Sequence, residues 1–141
     1  MPEDIELNSL RRLIKHQLSN PKSLNAIKLI NSGIDNSNNI TREQFIDDCS
    51  FTTKSEIVLD HKNNPPFGSN LTRGLKSYSR LSKTSGTSGE SISWLDTSDD
   101  WSNMLDAWDV IYNSSGLNTE RDVIYFAFSF GPFLGFWTAY E

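Results

Sequence analysis

Thr84-Ser85-Gly86-Thr87-Ser88-Gly89 is the stretch of this chain whose residue types could do chemistry. Two glycines and four hydroxyls stand in a row, with no bulky side chain among them. Such a run has almost no apolar surface to bury and adds little to a core. It can instead offer successive backbone N–H groups and hydroxyls to an anion, which is the chemistry of loops that cradle phosphate. A flexible Ser/Gly connector has the same composition, so the flanks must decide. Two familiar motifs are excluded by spelling. The nucleophile pattern G-x-S-x-G needs one residue more than Gly86-Thr87-Ser88-Gly89 provides. The Walker pattern needs Lys and then Ser or Thr after its last glycine, whereas Gly89 is followed by Glu90. Neither a serine hydrolase nor a P-loop NTPase is supported.

Other reactive residue types are sparse. His16 and His61 sit in different helical segments with no Cys, Asp or Glu at ligand spacing, so both read as surface histidines and no metal site is expected. Asp99 and Asp100 fall at a helix start, where they complement the macrodipole. Cys49 is the only cysteine, which excludes an intrachain disulfide and a thiolate cluster and fits a reducing, cytoplasmic compartment. With 141 residues, 36% hydrophobic and 22% charged, the chain has the length and balance of one ordinary domain. A net charge of -5 without a basic block argues against nucleic acid and anionic membrane as partners. The opening Met1-Pro2-Glu3-Asp4-Ile5-Glu6 is acidic and lacks the apolar run of a secretory signal. Without such a signal, the sequons at Asn70 and Asn113 read as chance.

The elements that must position the Ser/Thr/Gly run follow from hydrophobic periodicity and caps. Leu7, Leu10, Leu13, Ile14 and Leu18 form one helical stripe. Asn20-Pro21 reads as N-cap and first residue of a second helix, with Leu24, Ile27 and Ile30 as its stripe and Gly33 at a left-handed C-cap. Thr41-Arg42-Glu43-Gln44 and Thr53-Lys54-Ser55-Glu56 have capping-box spacing and open two short helices. Residues 63–70, with Pro65, Pro66 and Gly68, read as a long exposed connection and a boundary between subdomains. Ser77 to Ser82 and Ile92 to Leu95 read as strands, so the Ser/Thr/Gly run joins them as a hairpin-like connection. Asp96-Thr97-Ser98 caps a strong helix whose stripe is Trp101, Met104, Leu105, Trp108, Ile111 and Tyr112, closed by Gly116. Two tryptophans on that stripe read as core. Val123 to Phe128 is a continuous apolar run, expected to be a strand buried on both faces, and strand–helix–strand implies parallel pairing with a right-handed crossover. Gly131-Pro132 ends it, and Phe133 to Tyr140 opens a helix. Such a strand needs more neighbours and covering helices than this chain supplies, so the expectation is an incomplete domain or pairing with another chain.

At this level of detail the residues resemble a known family. Tyr78-Ser79-Arg80-Leu81-Ser82-Lys83 followed by Thr84 to Gly89 is similar to the phosphate-loop signature of adenylate-forming (AMP-binding) enzymes, with core [ST]-S-G-[ST]-[ST]-G. Phe51-Thr52-Thr53-Lys54, Trp94-Leu95-Asp96-Thr97 with Trp101, and Ala127-Phe128-Ser129-Phe130-Gly131-Pro132-Phe133 resemble elements of the phenylacetate–coenzyme A ligase-like branch, in the same order. The resemblance covers nearly the whole chain. It implies an α/β fold, in which a helical N-terminal accessory region (1–76) precedes the truncated start of the AMP-binding nucleotide sheet (77–141). It implies an ATP-dependent ligase that converts a carboxylic acid to an acyl-adenylate and then to an acyl–coenzyme A thioester. ATP, Mg2+ and coenzyme A are the implied cofactors, and an aromatic acid is among the implied substrates.

By position, Thr84, Ser85, Gly86, Thr87, Ser88 and Gly89 would bind the ATP phosphates, and Phe130, Gly131 and Phe133 would border the acyl pocket. Packing at a strand end accounts equally well for those last three. Many relatives carry a basic residue and a proline just after the loop, where this chain has Glu90-Ser91-Ile92; Lys83 and a metal ion would have to offset the Glu90 charge. The catalytic lysine and the motifs for adenine, ribose and magnesium lie in later parts of the family, so the chain alone is expected to be inactive. An acyl–protein synthetase-like enzyme, and a non-catalytic nucleotide-binding or interaction module, remain alternatives, as does a homodimer of the full-length protein.

Overall fold

The computed structural model describes residues 2–84, 90–118, 120–129 and 131–141. They form six α-helices and one two-stranded sheet, divided into two compact units, Met1–Gly74 and Leu75–Glu141. The expected α/β class is what the chain adopts.

The first unit is helical: α1 (Pro2–Leu18), α2 (Leu24–Asn31), α3 (Arg42–Asp48) and α4 (Lys54–Asn63). Its core is Ile14, Leu29, Ile34 and Ile40, with Leu10, Leu18, Phe45 and Cys49 packed against it. Gly33 shows how sequence closes that core. At φ 75° it holds the left-handed turn after α2, its N–H bonds Ile30 O, and the next N–H, of Ile34, returns to Leu29 O at 2.9 Å. That double bond turns the chain so that Ile34 lands on Leu29 in the core.

The start of α2 departs from expectation. Its N-cap is Ser23, fully buried, whose Oγ accepts from Ala26 N. Asn20 does not cap: its Nδ2 donates to Ser69 O and Leu71 O, each at 2.9 Å, and these bonds hold the side chain toward that segment. In return Ser69 Oγ accepts from Leu24 N and Asn70 Oδ1 from Asn25 N. The first three N–H groups of α2, which no intrahelical carbonyl can reach, are therefore all satisfied by side chains. The connection 63–70 is thus exposed only in its first part. Ser69 and Asn70 are half-buried and stitched to α2, and the whole connection belongs to the first unit.

Thr53 forms the expected capping box of α4: Glu56 Oε2 accepts from Thr53 N at 2.6 Å, and Thr53 Oγ1 from Glu56 N. The other oxygen, Oε1, meets Lys28 Nζ at 2.7 Å. The Lys28 ammonium and the donors of Thr53 together hold the Glu56 carboxyl down at about 2, from an ordinary 4.5. His16 is exposed as expected, with Nε2 2.8 Å from Thr72 Oγ1.

In the second unit β1 (Tyr78–Lys83) and β2 (Ser93–Thr97) pair antiparallel, as the hairpin reading required. The register runs from Tyr78 opposite Thr97 to Lys83 opposite Ser93, with a bulge between Tyr78 and Arg80. Thr97 then caps α5 (Ser98–Ser114) through a box with Asp100. Along α5, Trp101 is buried, Met104, Leu105, Trp108 and Tyr112 are half-buried, and Ile111 is exposed. Asp96 lies just before the cap. Its Oδ2 is buried without a hydrogen-bond partner, and burial first, then the nearby Asp100 charge, raise its pKa.

Residues 122–129 form no strand, so the parallel crossover expected from strand–helix–strand is absent among the described residues. Phe126 and Phe128 touch Phe136 of α6 (Leu134–Tyr140), at centroid distances of 6.1 Å in both cases. Val123 and Tyr125 lie open, 93% and 89% exposed. The expectation of burial on both faces fails: among the described residues no strand pairs with 122–129, and only Phe126 of Val123 to Phe128 is not exposed. No helix among the described residues is long and apolar enough to cross a membrane.

Candidate active site

The site builds from the end of β1. Alternation along this strand buries Ser82 and leaves Lys83 exposed, one residue before Thr84. Three hydrogen bonds then close the mouth of the hairpin. Thr84 N donates to Ile92 O at 3.0 Å, Ile92 N to Thr84 Oγ1 at 2.9 Å, and Ser91 Oγ to Thr84 O at 2.6 Å. Of the expected phosphate-binding residues, Thr84 is therefore one post of the closed mouth. Ser85, Gly86, Thr87, Ser88 and Gly89 lie outside the described residues, as does Phe130 of the acyl segment.

Lys83 N reaches across to Pro132 O at 2.6 Å. This bond brings the root of the Ser/Thr/Gly run beside the Gly131–Phe133 segment, two stretches far apart in sequence. Gly131 fits under the Phe133 ring: a Cβ there would stand 2.6 Å from Phe133 Cε2. Its carbonyl accepts from Trp137 Nε1 at 2.8 Å. Phe133 itself is partly open, at 36% exposed, so an aromatic edge borders this junction.

Sequence reasoning missed the partners that hold the mouth shut. Ser91 was legible only as a residue after the run and Ile92 as the start of the second strand, and the Pro132 carbonyl carries no sequence signal. The Phe51-Thr52-Thr53-Lys54 element occupies the entry to α4: Phe51 O accepts from Lys28 Nζ, Thr53 is the N-cap, Lys54 begins the helix, and the Phe51 side chain is 95% exposed. Among the described residues no group of three or more His, Cys, Asp or Glu could hold a metal ion.

No protein-family model matches the chain, and no curated protein does. Solved structures do. A 2-hydroxyisobutyryl-CoA ligase in an open conformation, in complex with 2-HIB-AMP and CoA, aligns with a TM-score of 0.84 at 19% identity, over 97% of this chain and 31% of that one. The same ligase in the thioesterification state gives 0.85 at 20% identity, over 98% and 28%. In the postadenylation state, in complex with 2-HIB-AMP, it gives 0.83 at 19%, over 97% and 28%. The chain spans under a third of each ligase it matches. Its fold is that of part of this 2-hydroxyisobutyryl-CoA ligase.

Proposed function

We propose that this chain is the N-terminal part of an ATP-dependent acid–coenzyme A ligase of the phenylacetate–coenzyme A ligase-like branch, and that residues 84–89 grip the ATP phosphates while the acyl-adenylate forms. The observation that carries this reading is the closed hairpin mouth, joined through Lys83 N and Pro132 O to the Gly131–Phe133 segment. It sets Thr84, where the Ser/Thr/Gly run begins, one residue from the bond to an aromatic-edged turn.

Within this reading each residue has a bounded task. Thr84 Oγ1 accepts from Ile92 N, which leaves its hydroxyl proton for an anion. Lys83, exposed at the root of the run, adds a positive charge where a triphosphate would lie. Backbone N–H groups of 85–89 would supply fixed donors as charge develops on the phosphates, and Gly86 and Gly89 allow them to converge. Phe133 and Phe130 would bound the acid, which favours an aromatic substrate. ATP would supply the adenylyl group to the carboxylate, with pyrophosphate leaving, and coenzyme A the thiol that displaces AMP. The 1–76 region would serve as accessory unit and 77–141 as the start of the nucleotide-binding domain. The 141-residue chain alone is expected to release little pyrophosphate.

The test is a Gly86→Val substitution in the full-length polypeptide that carries this chain, read by acid-dependent ATP–pyrophosphate exchange across a panel of carboxylic acids. A β-branched residue at 86 would misdirect the backbone donors of the run, which should lower exchange by about 100-fold or more while thermal unfolding moves little. Undiminished exchange would remove the phosphate-loop assignment.

A further inference from the structure

Arg80 and Glu141 form a fork-to-fork pair, Nη1 to Oε1 at 2.8 Å and Nη2 to Oε2 at 2.7 Å. Glu141 Oε2 also accepts from Trp101 Nε1 at 2.8 Å, and the Arg80 guanidinium lies 4.5 Å from the centroid of the Trp101 ring. A surface ion pair by itself contributes little. Here the planar fork, a third donor and the stacked ring fix the orientation of both side chains, a geometry lysine cannot reproduce.

The pair also completes a ring of contacts. Arg80 stands on β1, three residues before Lys83. Glu141 follows α6, and its N–H bonds Trp137 O at 3.0 Å. Trp137 in turn holds Gly131 O, and Pro132 O holds Lys83 N at 2.6 Å. Strand β1 and the Gly131 turn are thereby tied to one another directly at one end and through α6 at the other. Two ties at separate points remove the rotation that a single hydrogen bond would allow.

We infer that Arg80 and Glu141 are positioning residues that set the approach of Lys83 and Thr84, at the end of β1, to the Gly131 turn, and so the approach of ATP to the acid. The inference rests on the ligase reading above. It concerns geometry between two bound reactants, where a displacement of about 1 Å can cost on the order of 100-fold in rate. Its signature is therefore in turnover more than in substrate binding.

The experiment uses the full-length polypeptide, with acid-dependent pyrophosphate formation normalised to active sites titrated by the pyrophosphate burst. Glu141→Gln should lower turnover per titrated site by about tenfold or more, with KM for ATP and for the acid each changed by less than about threefold. Arg80→Lys keeps the charge and loses the fork, so it should fall between wild type and Glu141→Gln; it decides the matter if Glu141→Gln does not fold. A purely structural role would reduce the number of titratable sites and leave turnover per site intact, and that result overturns the inference. Wild-type protein that activates no carboxylic acid would overturn the ligase reading and this inference with it, whereas active wild type beside fully active variants would overturn this inference alone.

Discussion

Thr53 and Thr97 begin their helices in the same way, each with a carboxylate three residues on that returns to the threonine N–H. The surroundings of the two boxes differ. In the helical unit the box carboxylate, Glu56, is met by Lys28, and its pKa is held down. In the hairpin unit the carboxylate beside the box, Asp96, has a buried oxygen with no partner, and its pKa is pushed up. The apolar side chains follow the same division. Ile14, Ile34 and Ile40 are essentially sealed in the first unit, while Val123 and Tyr125 of the second stand in the open. A cap needs only a few adjacent residues and forms in either setting. A counterion or a covering layer must come from elsewhere in the unit: Lys28 supplies it for Glu56, whereas Asp96 and residues 123–125 are left without one among the described residues.

The largest test of that contrast is a pair of substitutions. Ile40→Ala should cost about 3 kcal/mol, the transfer and cavity terms of a sealed side chain, whereas Val123→Thr should cost less than about 0.5 kcal/mol. Urea unfolding midpoints of the 141-residue chain check both; equal losses would mean that 122–129 is packed as tightly as the helical core. A middle-sized effect concerns Glu56. Its folded pKa is depressed, so its stabilisation is present above 4.5 and drains away as pH falls toward about 2. Glu56→Gln should lower the thermal midpoint at neutral pH and flatten its decline through that acid window. A variant with the wild-type pH profile would deny Glu56 this role. The smallest effect, of opposite sign, belongs to Asp96. Its folded pKa is raised, so its charged form costs stability once pH rises past 3.8. Asp96→Asn should raise the neutral-pH midpoint slightly, and a fall would show that the charge has a partner.

What could be read in the sequence was mostly local. The caps at Thr41, Thr53 and Thr97, the left-handed Gly33 and the hairpin around the Ser/Thr/Gly run all depend on residues within a few positions of each other. The misreadings were competitions decided at a distance. Asn20 is a good cap in isolation, yet carbonyls some fifty positions away claim its amide, and Ser23 takes the role. Val123 to Phe128 has the composition of a central strand, but composition does not supply a ladder. In the candidate site, Thr84 and Gly131 stand out as residue types, while the bond between Lys83 N and Pro132 O joins two backbone groups and leaves no trace in side-chain identity. The Arg80–Glu141 fork was equally silent, because any Arg and Glu on half-open surfaces read as solvated charges.

The closed mouth of the hairpin also separates two demands that a turn normally meets together. Thr84, Ser91 and Ile92 fix which residue of β1 faces which residue of β2. The posts hold that register with groups of their own, beyond the last rung at Lys83 and Ser93. A ladder pinned in this way divides labour along the chain: pairing is settled by the posts and strands, and the letters between them can answer to a ligand. Rewriting residues 85–89, or grafting them from another protein, is then expected to leave every rung of the ladder where it is.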